Sequence, residues 1–458
     1  MKYKFKPAPN YRGVLSTKQM MIDLTIGLLV VLAYALYNAY TISTTNLIHI
    51  VIVTIIALVT STIVEVIFAI CSKKQPLEFL KESFPWVTAL ILVLIMPMNV
   101  SFYAMTICTI CAIVFGKLVF GGFGNNIFNP AAVGRAVFAT SFTGSIVADV
   151  FVGATPTTTI STIGWVADGR VLNNFLNSFG GLGNLAFGNY YGAIGETSAI
   201  VIALVGVYLT VKKVIDLRVT ITYIVTIFFG ALFIGLANGL DAPSLINYSI
   251  FHILTGGVMF GAIFMLTDPV TNPTTRSGKI IFAIGAGVIT LIIRIGANLP
   301  EGVLFSILIM NMLTPAIDSI LQGQQYRRVF KNLIAIIIVF ILGLGVVYGL
   351  GTTLEGTKYT APANTKIKKA VIDGDVSTHV VKGYEGENKF EIAVKDGKIT
   401  NIKVVEFNDT VGIGDLAIKD EYLEYLKGAN FDEDVDVAVG ATATSESIIE
   451  ACKQALGK

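Results

Sequence analysis

Two threonines stand out for their chemistry, because each ends a seven-residue string that occurs twice in the chain. Asp149-Val150-Phe151-Val152-Gly153-Ala154-Thr155 and Asp436-Val437-Ala438-Val439-Gly440-Ala441-Thr442 agree at six of seven positions. Hydroxyl residues follow both, Thr157-Thr158-Thr159 and Thr444-Ser445. Gly-Ala-Thr alone would carry no weight among 44 glycines, but the longer string recurs in two otherwise unlike regions. A threonine behind glycine and alanine presents its Oγ with little bulk around it, so a modifying enzyme can reach it. The aspartate upstream adds a carboxylate for recognition.

Other constellations are poorer. Cys108-x-x-Cys111 has redox or metal spacing but lies in an apolar run with no second pair, which favours packing. His49, His252 and His379 are scattered and suggest no metal site. Gly181-x-Gly183-x-x-Ala186 and Gly412-x-Gly414-x-x-Ala417 lack the strand–turn–helix setting of a dinucleotide fingerprint. No phosphate loop, Ser-His-Asp triad or carboxylate pair can be assembled.

The elements that must carry these threonines are mostly membrane spans. Of 458 residues, 54% are hydrophobic and 14% charged, with mean hydropathy +0.72. Soluble domains are about a quarter charged, and the deficit is what lipid-facing surface requires. The net charge of +2 gives no reason to expect nucleic acid. Candidate spans are expected at Met20–Tyr40, Leu47–Cys71, Phe84–Pro97 (short), Ser101–Val119, Pro130–Val150, Ile194–Val211, Val219–Ala237, Ile250–Leu266, Lys279–Gly296, Pro300–Ile320 and Val329–Leu350, the short segments being open to a broken or re-entrant reading. Lys2, Lys4, Lys6, Arg12 and Lys18 precede the first, with no cleavage site for a signal peptide. Lys73–Lys74, Lys212–Lys213 with Arg218, Arg276, and Arg327–Arg328 with Lys331 then fall on the same side. Basic loops lie inside, so the amino terminus is expected in the cytoplasm, and the 149–191 loop and everything after Leu350 outside.

The first ten spans read as two inverted fives. Breaks at Met96-Pro97-Met98-Asn99 and Asp268-Pro269 to Asn272-Pro273 are each followed by a span and then by Gly121–Pro130 or Arg294–Pro300. Such repeats put broken helices near the midplane, where half-helix ends can hold a ligand. Lys117, Arg135, Arg294 and Asp318 lie in or near spans, and snorkelling to an interface is expected for Lys117 and Arg294. From Thr352 the chain turns polar. Lys389–Val394 and Ile399–Val405 read as strands about Lys395-Asp396-Gly397-Lys398, and Asp420–Lys427 and Glu446–Leu456 as helices, the latter capped by Thr444/Ser445.

The region from Thr17 to Tyr326 resembles the D subunit of the Rnf ferredoxin:NAD oxidoreductase complex and, more distantly, the B subunit of the sodium-pumping NADH:quinone reductase. The resemblance rests on Ser16-Thr17-Lys18-Gln19-Met20-Met21, Gly121–Pro130 and Thr314-Pro315-Ala316-Ile317-Asp318. From Arg327 the chain is similar to the G subunit of the Rnf complex, one anchor and an FMN-binding domain. Asp409-Thr410-Val411-Gly412-Ile413-Gly414 stands where that family has Glu-Thr-Pro-Gly-Leu-Gly. The resemblance implies that FMN phosphate is esterified to Thr155 and Thr442 by a dedicated flavin transferase, with Val152 and Val439 replacing the family's hydroxyl residue in both copies. It implies roles for Asp149, Gly153, Ala154, Asp436, Gly440, Ala441, Thr410, Gly412 and Gly414 around two covalent FMN groups, and a noncovalent riboflavin in the bundle.

The expected architecture is thus a polytopic α-helical membrane protein of about 11 spans with a 5+5 inverted repeat and a C-terminal soluble α+β FMN-binding domain. Its parts are a membrane domain over 1–326, an anchor over 327–350 and an extracytoplasmic domain over 351–458. The expected role is electron relay in an Rnf-like complex of the cytoplasmic membrane, coupled to Na⁺ or H⁺, with other subunits of that complex, the flavin transferase and membrane lipid as partners. A urea-type solute channel also suits inverted five-span repeats, and a membrane-anchored scaffold suits the bundle, but both leave the repeated string and the tail unused.

Overall fold

A computed structural model describes residues 16–354 apart from 151, 167–168, 197, 298, 300–301 and 322–327. In the tail it describes 375–382, 387–395, 398–407, 417–418, 420–428, 431, 435, 437 and 442–457. The basic residues before Ser16, Arg327, Asn298, Pro300 and the turn Asp396-Gly397 lie outside the described residues.

The longest helices form where hydropathy is unbroken and a hydroxyl can cap the end. Helix α1 (Thr17–Ile42) starts at Ser16, whose Oγ accepts from the Gln19 amide. Ser43 ends it and caps α2 (Thr44–Cys71) by accepting from Thr45 N. Along α2 the buried face carries Asn46, His49, Thr54, Ser61 and Glu65, whereas Ile48, Ile52, Ile55, Val59, Ile63 and Ile67 are exposed. Polar inside and apolar outside is the pattern that lipid imposes. Then come the short α3 (Pro76–Ser83) and α4 (Pro85–Ile95), joined by Phe84 in the left-handed region at φ 51°.

Helix α5 (Phe102–Ile113) runs on as a π-helical turn, Val114–Leu118, before the glycine loop. Asn129 opens α6 (Pro130–Ser141), its Oδ1 accepting from Ala131 N and Ala132 N, with Pro130 in the first turn. Helix α6 ends at Ser141, short of the expected Val150. The polar run Thr140-Ser141-Phe142-Thr143-Gly144 stops it, and the chain turns extended. Ser101 N then donates to Ser145 O and Val147 N to Asn99 O.

Three short helices follow: α7 (Pro156–Thr162), α8 (Gly169–Ser178) and α9 (Gly181–Phe187). The next membrane helix, α10 (Ala199–Val211), begins five residues after the expected Ile194. Ile194 N and Gly195 N instead donate to Met96 O and Leu94 O, satisfying carbonyls where α4 breaks off. Helices α11 (Leu217–Ala237), α12 (Ala242–Leu254), α13 (Val258–Met265), α14 (Arg276–Gly296), α15 (Gly302–Leu321) and α16 (Val329–Thr352) complete the apolar set. The pair α12/α13 is bent by 61°, and α14 ends in a π-helical turn, Ile292–Gly296. Among the described residues, six helices (α1, α2, α11, α14, α15, α16) are long and apolar enough to cross a membrane, or seven with the bent pair as one span. The other expected spans correspond to shorter helices: α4, α5 with its π turn, α6 and α10.

The tail builds an antiparallel sheet, β1 (Asp375–Lys382), β2 (Glu387–Lys395) and β3 (Lys398–Glu406), in the order β1-β2-β3. Helices α17 (Asp420–Gly428) and α18 (Thr442–Ala455) join it around one core of Phe390, Ile392, Ile402, Leu426, Ile448 and Cys452. Strand β1 is not among the expected elements. Helix α18 begins at Thr442, not after a Thr444/Ser445 cap, because Thr444 and Ser445 are buried inside its first turn.

The chain divides into two compact units. One comprises Met1–Gly153, Asn184–Phe233 and Ser249–Tyr348, the other Ala154–Gly183, Ile234–Tyr248 and Gly349–Lys458. Within the second, Asn238 Nδ2 donates to Gly351 O at 2.9 Å, and the ends of α11 and α16 meet so closely that a Cβ on Gly351 would lie 2.9 Å from that of Ala237.

Candidate functional site

Thr155 is the N-cap of α7. Its Oγ1 accepts from Thr158 N at 3.1 Å, and Thr155 N donates to Thr158 Oγ1 at 3.0 Å, closing a reciprocal capping box. The same Oγ1 lies 2.9 Å from Thr158 Oγ1 and 3.1 Å from Thr157 Oγ1. Asp149 and Ala154 are exposed, and Thr155 and Gly153 are half-buried. A side chain on Gly153 would collide with the Tyr191 ring. Glycine is therefore required there by close approach. The hydroxyl at Thr155 can be esterified without losing its acceptor role, because an ester oxygen still accepts from Thr158 N–H. What it gives up is its own O–H donor.

The second string also ends where a helix begins, one position further into it. Thr442 is the first residue of α18, and Val437 is exposed. Asp436, Gly440, Ala441, Thr410, Gly412 and Gly414 lie outside the described residues. Both repeated strings thus end in a threonine at the start of a helix.

A further site comes from the membrane region. In the first unit a cavity is lined by Met20, Leu24, Phe84, Ile91, Phe123 and Phe264, with Lys117, Asn126, Asn129, Thr267 and Asp268 as its polar groups. The loop Gly121–Pro130 and the break at Asp268-Pro269 both border it, and Met20, Lys117, Asn126, Asn129 and Asp268 among its lining residues lie at positions or in strings named in the sequence analysis, whereas Leu24, Ile91 and Phe264 carried no individual signal there.

Lys117 does not snorkel. It is 2% exposed, and its Nζ donates to Glu65 Oε1 at 2.7 Å and to Ser83 O at 2.5 Å. Arg294 is fully buried as well. Its Nη1 donates to His252 O at 3.1 Å, and its Nη2 to Gly256 O at 2.9 Å, covering carbonyls at the bend between α12 and α13. Both cations are held because the partners that compensate them come from distant segments. Arg135 is buried with its guanidinium 5.0 Å from the Phe138 ring centroid, and Asp318 accepts from Thr274 N and Thr274 Oγ1 at 3.1 Å. Cys108 is buried and Cys111 half-buried. Among the described residues no group of three His, Cys, Asp or Glu could hold a metal ion.

Comparison with known proteins agrees with this arrangement. Residues 4–327 match the NQR2, RnfD, RnfE family, and residues 383–457 match an FMN-binding domain. The D subunit of the Na⁺-translocating ferredoxin:NAD⁺ oxidoreductase complex of Acetobacterium woodii is 32% identical over 322 residues, 70% of this chain and 93% of that protein. The D subunit of the proton-translocating ferredoxin:NAD⁺ oxidoreductase complex of Clostridium ljungdahlii is 36% identical over 254 residues, 53% of this chain and 73% of that protein. The B subunit of the Na⁺-translocating NADH-quinone reductase of Ectopseudomonas mendocina is 31% identical over 277 residues, 58% and 66% of the two chains. The chain therefore belongs to the NQR2, RnfD, RnfE family, in which these relatives are subunits of ion-translocating oxidoreductases, and it joins to that membrane region a C-terminal FMN-binding domain.

Proposed function

We propose that this chain is an electron-relay subunit of an Rnf-type ferredoxin:NAD oxidoreductase complex, with FMN esterified to Thr155 and Thr442 and electron transfer coupled to Na⁺ or H⁺ translocation. The observation that carries the reading is the repeated string. One copy lies in the region matched to the NQR2, RnfD, RnfE family and the other in the region matched to an FMN-binding domain, each ending in a threonine at a helix start. Bound flavin would supply one- and two-electron transfer, and the chain would position it and tune its potential. Thr155 offers an Oγ1 beside the small residues Gly153 and Ala154. Thr158 N–H remains as a donor to that oxygen after esterification.

The membrane cavity suits a noncovalent riboflavin. Apolar and aromatic walls would take a planar ring, and Asn126, Asn129 and Lys117 offer hydrogen bonds to its edge. The inverted repeat is supported by a shared device. The fourth span of each half ends in a π-helical turn that carries a buried cation, Lys117 in Val114–Leu118 and Arg294 in Ile292–Gly296. Eleven crossings remain our reading if the shorter helices pair with broken segments to cross. Basic loops put the amino terminus in the cytoplasm and both threonines outside it, in the cytoplasmic membrane's outer compartment. The remaining subunits of the complex would exchange electrons with ferredoxin and NAD, and a flavin transferase would load the threonines.

The test is whether flavin stays with the polypeptide. Protein from a transferase-containing host should give a fluorescent band after denaturing electrophoresis. A non-fluorescent band would remove the covalent flavins from the proposal. Impermeant thiol labelling of Thr155→Cys in intact cells checks the sidedness, and labelling only after cell opening would reverse it.

A further inference from the structure

Phe123 stands where two hollows of the first unit meet. It lines the membrane cavity, and it also lines a polar, more open cleft with Lys74, Glu78, Glu82 and Ser83. The partition between them is thin. The Phe123 ring meets Phe84 edge-on, with centroids 5.4 Å apart at 66°, and Lys117 Nζ lies 5.6 Å from the Phe123 centroid. The Lys117 ammonium is in turn tied to the Ser83 carbonyl on the cleft side.

The two leaves of this partition differ in freedom. Phe84 is buried and wedged between α3 and α4. Phe123 is half-buried on a loop whose Gly121, Gly122 and Gly124 have φ of +108°, +96° and +90°. Space is open within 4 Å of where a Cβ would stand on Gly122 or Gly124, while Gly121 N and Gly122 N donate to Leu118 O and Lys117 O and tie the start of the loop to the preceding turn, which leaves the swing to Phe123 itself. Glycines on both sides allow the backbone to change φ at little cost.

We propose that Phe123 is the gate of the membrane cavity, through which a planar, unphosphorylated flavin is loaded from the polar cleft; this rests on the reading of the cavity as a flavin seat. An aromatic gate suits an aromatic guest, because the edge contact that Phe84 loses when Phe123 swings away can be replaced by the arriving ring. The two carboxylates of Glu78 and Glu82 outnumber Lys74 in the cleft, which disfavours a phosphorylated flavin on the way in.

The gate sets a rate, so the experiment measures exchange. The purified complex is incubated with isotopically labelled riboflavin, and acid-released flavin is followed by mass spectrometry, which leaves ester-linked flavin on the chain. Phe123→Ala should exchange about tenfold faster than wild type, and Phe123→Trp more slowly, each rate being normalised to the flavin that the variant holds. Phe123→Leu, which keeps apolar bulk, should fall between wild type and alanine and guards against an alanine variant that fails to fold. Equal exchange rates in wild type, leucine and tryptophan variants that all hold flavin would overturn the gate and leave the cavity reading standing. A wild-type complex with no acid-releasable flavin would overturn both.

Discussion

Replacing Thr155 by valine separates the chemistry of this residue from its structural part. The substitution removes the hydroxyl while keeping β-branching and nearly the same volume. In the structure it deletes the bond from Thr158 N to Thr155 Oγ1, but the reverse bond from Thr155 N to Thr158 Oγ1 remains. Half of a capping box is therefore lost, which costs about 1 kcal/mol. Against a folding stability of about 5–15 kcal/mol, the variant should remain folded. Covalent flavin, by contrast, should fall by half in Thr155→Val or Thr442→Val and vanish in the double variant. Thr155→Ser keeps both hydroxyl and cap, so it should retain flavin and stability together. In-gel fluorescence normalised to protein, with mass spectrometry of the tryptic peptides, reads the first quantity, and thermal unfolding in detergent reads the second. If the flavins act in series, either single variant should also stop electron transfer through the complex. Unmodified Thr155 and Thr442 peptides from wild-type protein made with the transferase present would refute the reasoning, and Thr155 would then be a helix cap alone.

The buried pair of Lys117 and Glu65 gives a second expectation: Glu65→Gln or Lys117→Met alone should destabilise by about 3–5 kcal/mol, and the double variant by less than either, because each single change strands a buried charge. Thermal unfolding in detergent decides it, and a double variant worse than both singles would count against the pair. In the tail, burial pushes the Cys452 thiol up to about 12. It stays protonated at pH 8, so maleimide should label it only on unfolding, and raising the pH to 10 should not restore the reaction while the domain is folded. Rapid labelling of the native domain at pH 8 would be the contrary result. The tail from about Thr352 has its own sheet, two helices and core, so it should fold alone and take one flavin when exported with the transferase. A well-folded but flavin-free tail under those conditions would dissociate the second string from flavin attachment.

Much of the scaffold was legible in the sequence because lipid makes hydropathy nearly sufficient. Helices α1, α2, α11, α14, α15 and α16 fall where unbroken apolar runs put them, and β2, β3 and α17 follow alternation and turn residues that act over a few positions. The repeated string, too, is a local signal. Features that depend on partners far along the chain could not be read this way. Strand β1, with Ser377, Thr378 and His379 at its centre, has too little apolar alternation to declare itself and exists by pairing with β2. The first turn of α18 extends back over Thr442 and buries Thr444 and Ser445, which propensity alone would leave as a cap. Lys117 and Arg294 looked free to reach an interface. They are buried because Glu65 and Ser83, and the carbonyls of His252 and Gly256, arrive from segments at least 34 residues away. The cavity at Phe123 likewise needs α1, α4, the glycine loop and the Asp268 break brought together. Burial of a charge and the enclosure of a cavity are properties of several segments at once, and only their packing fixes the desolvation and compensation that make either possible.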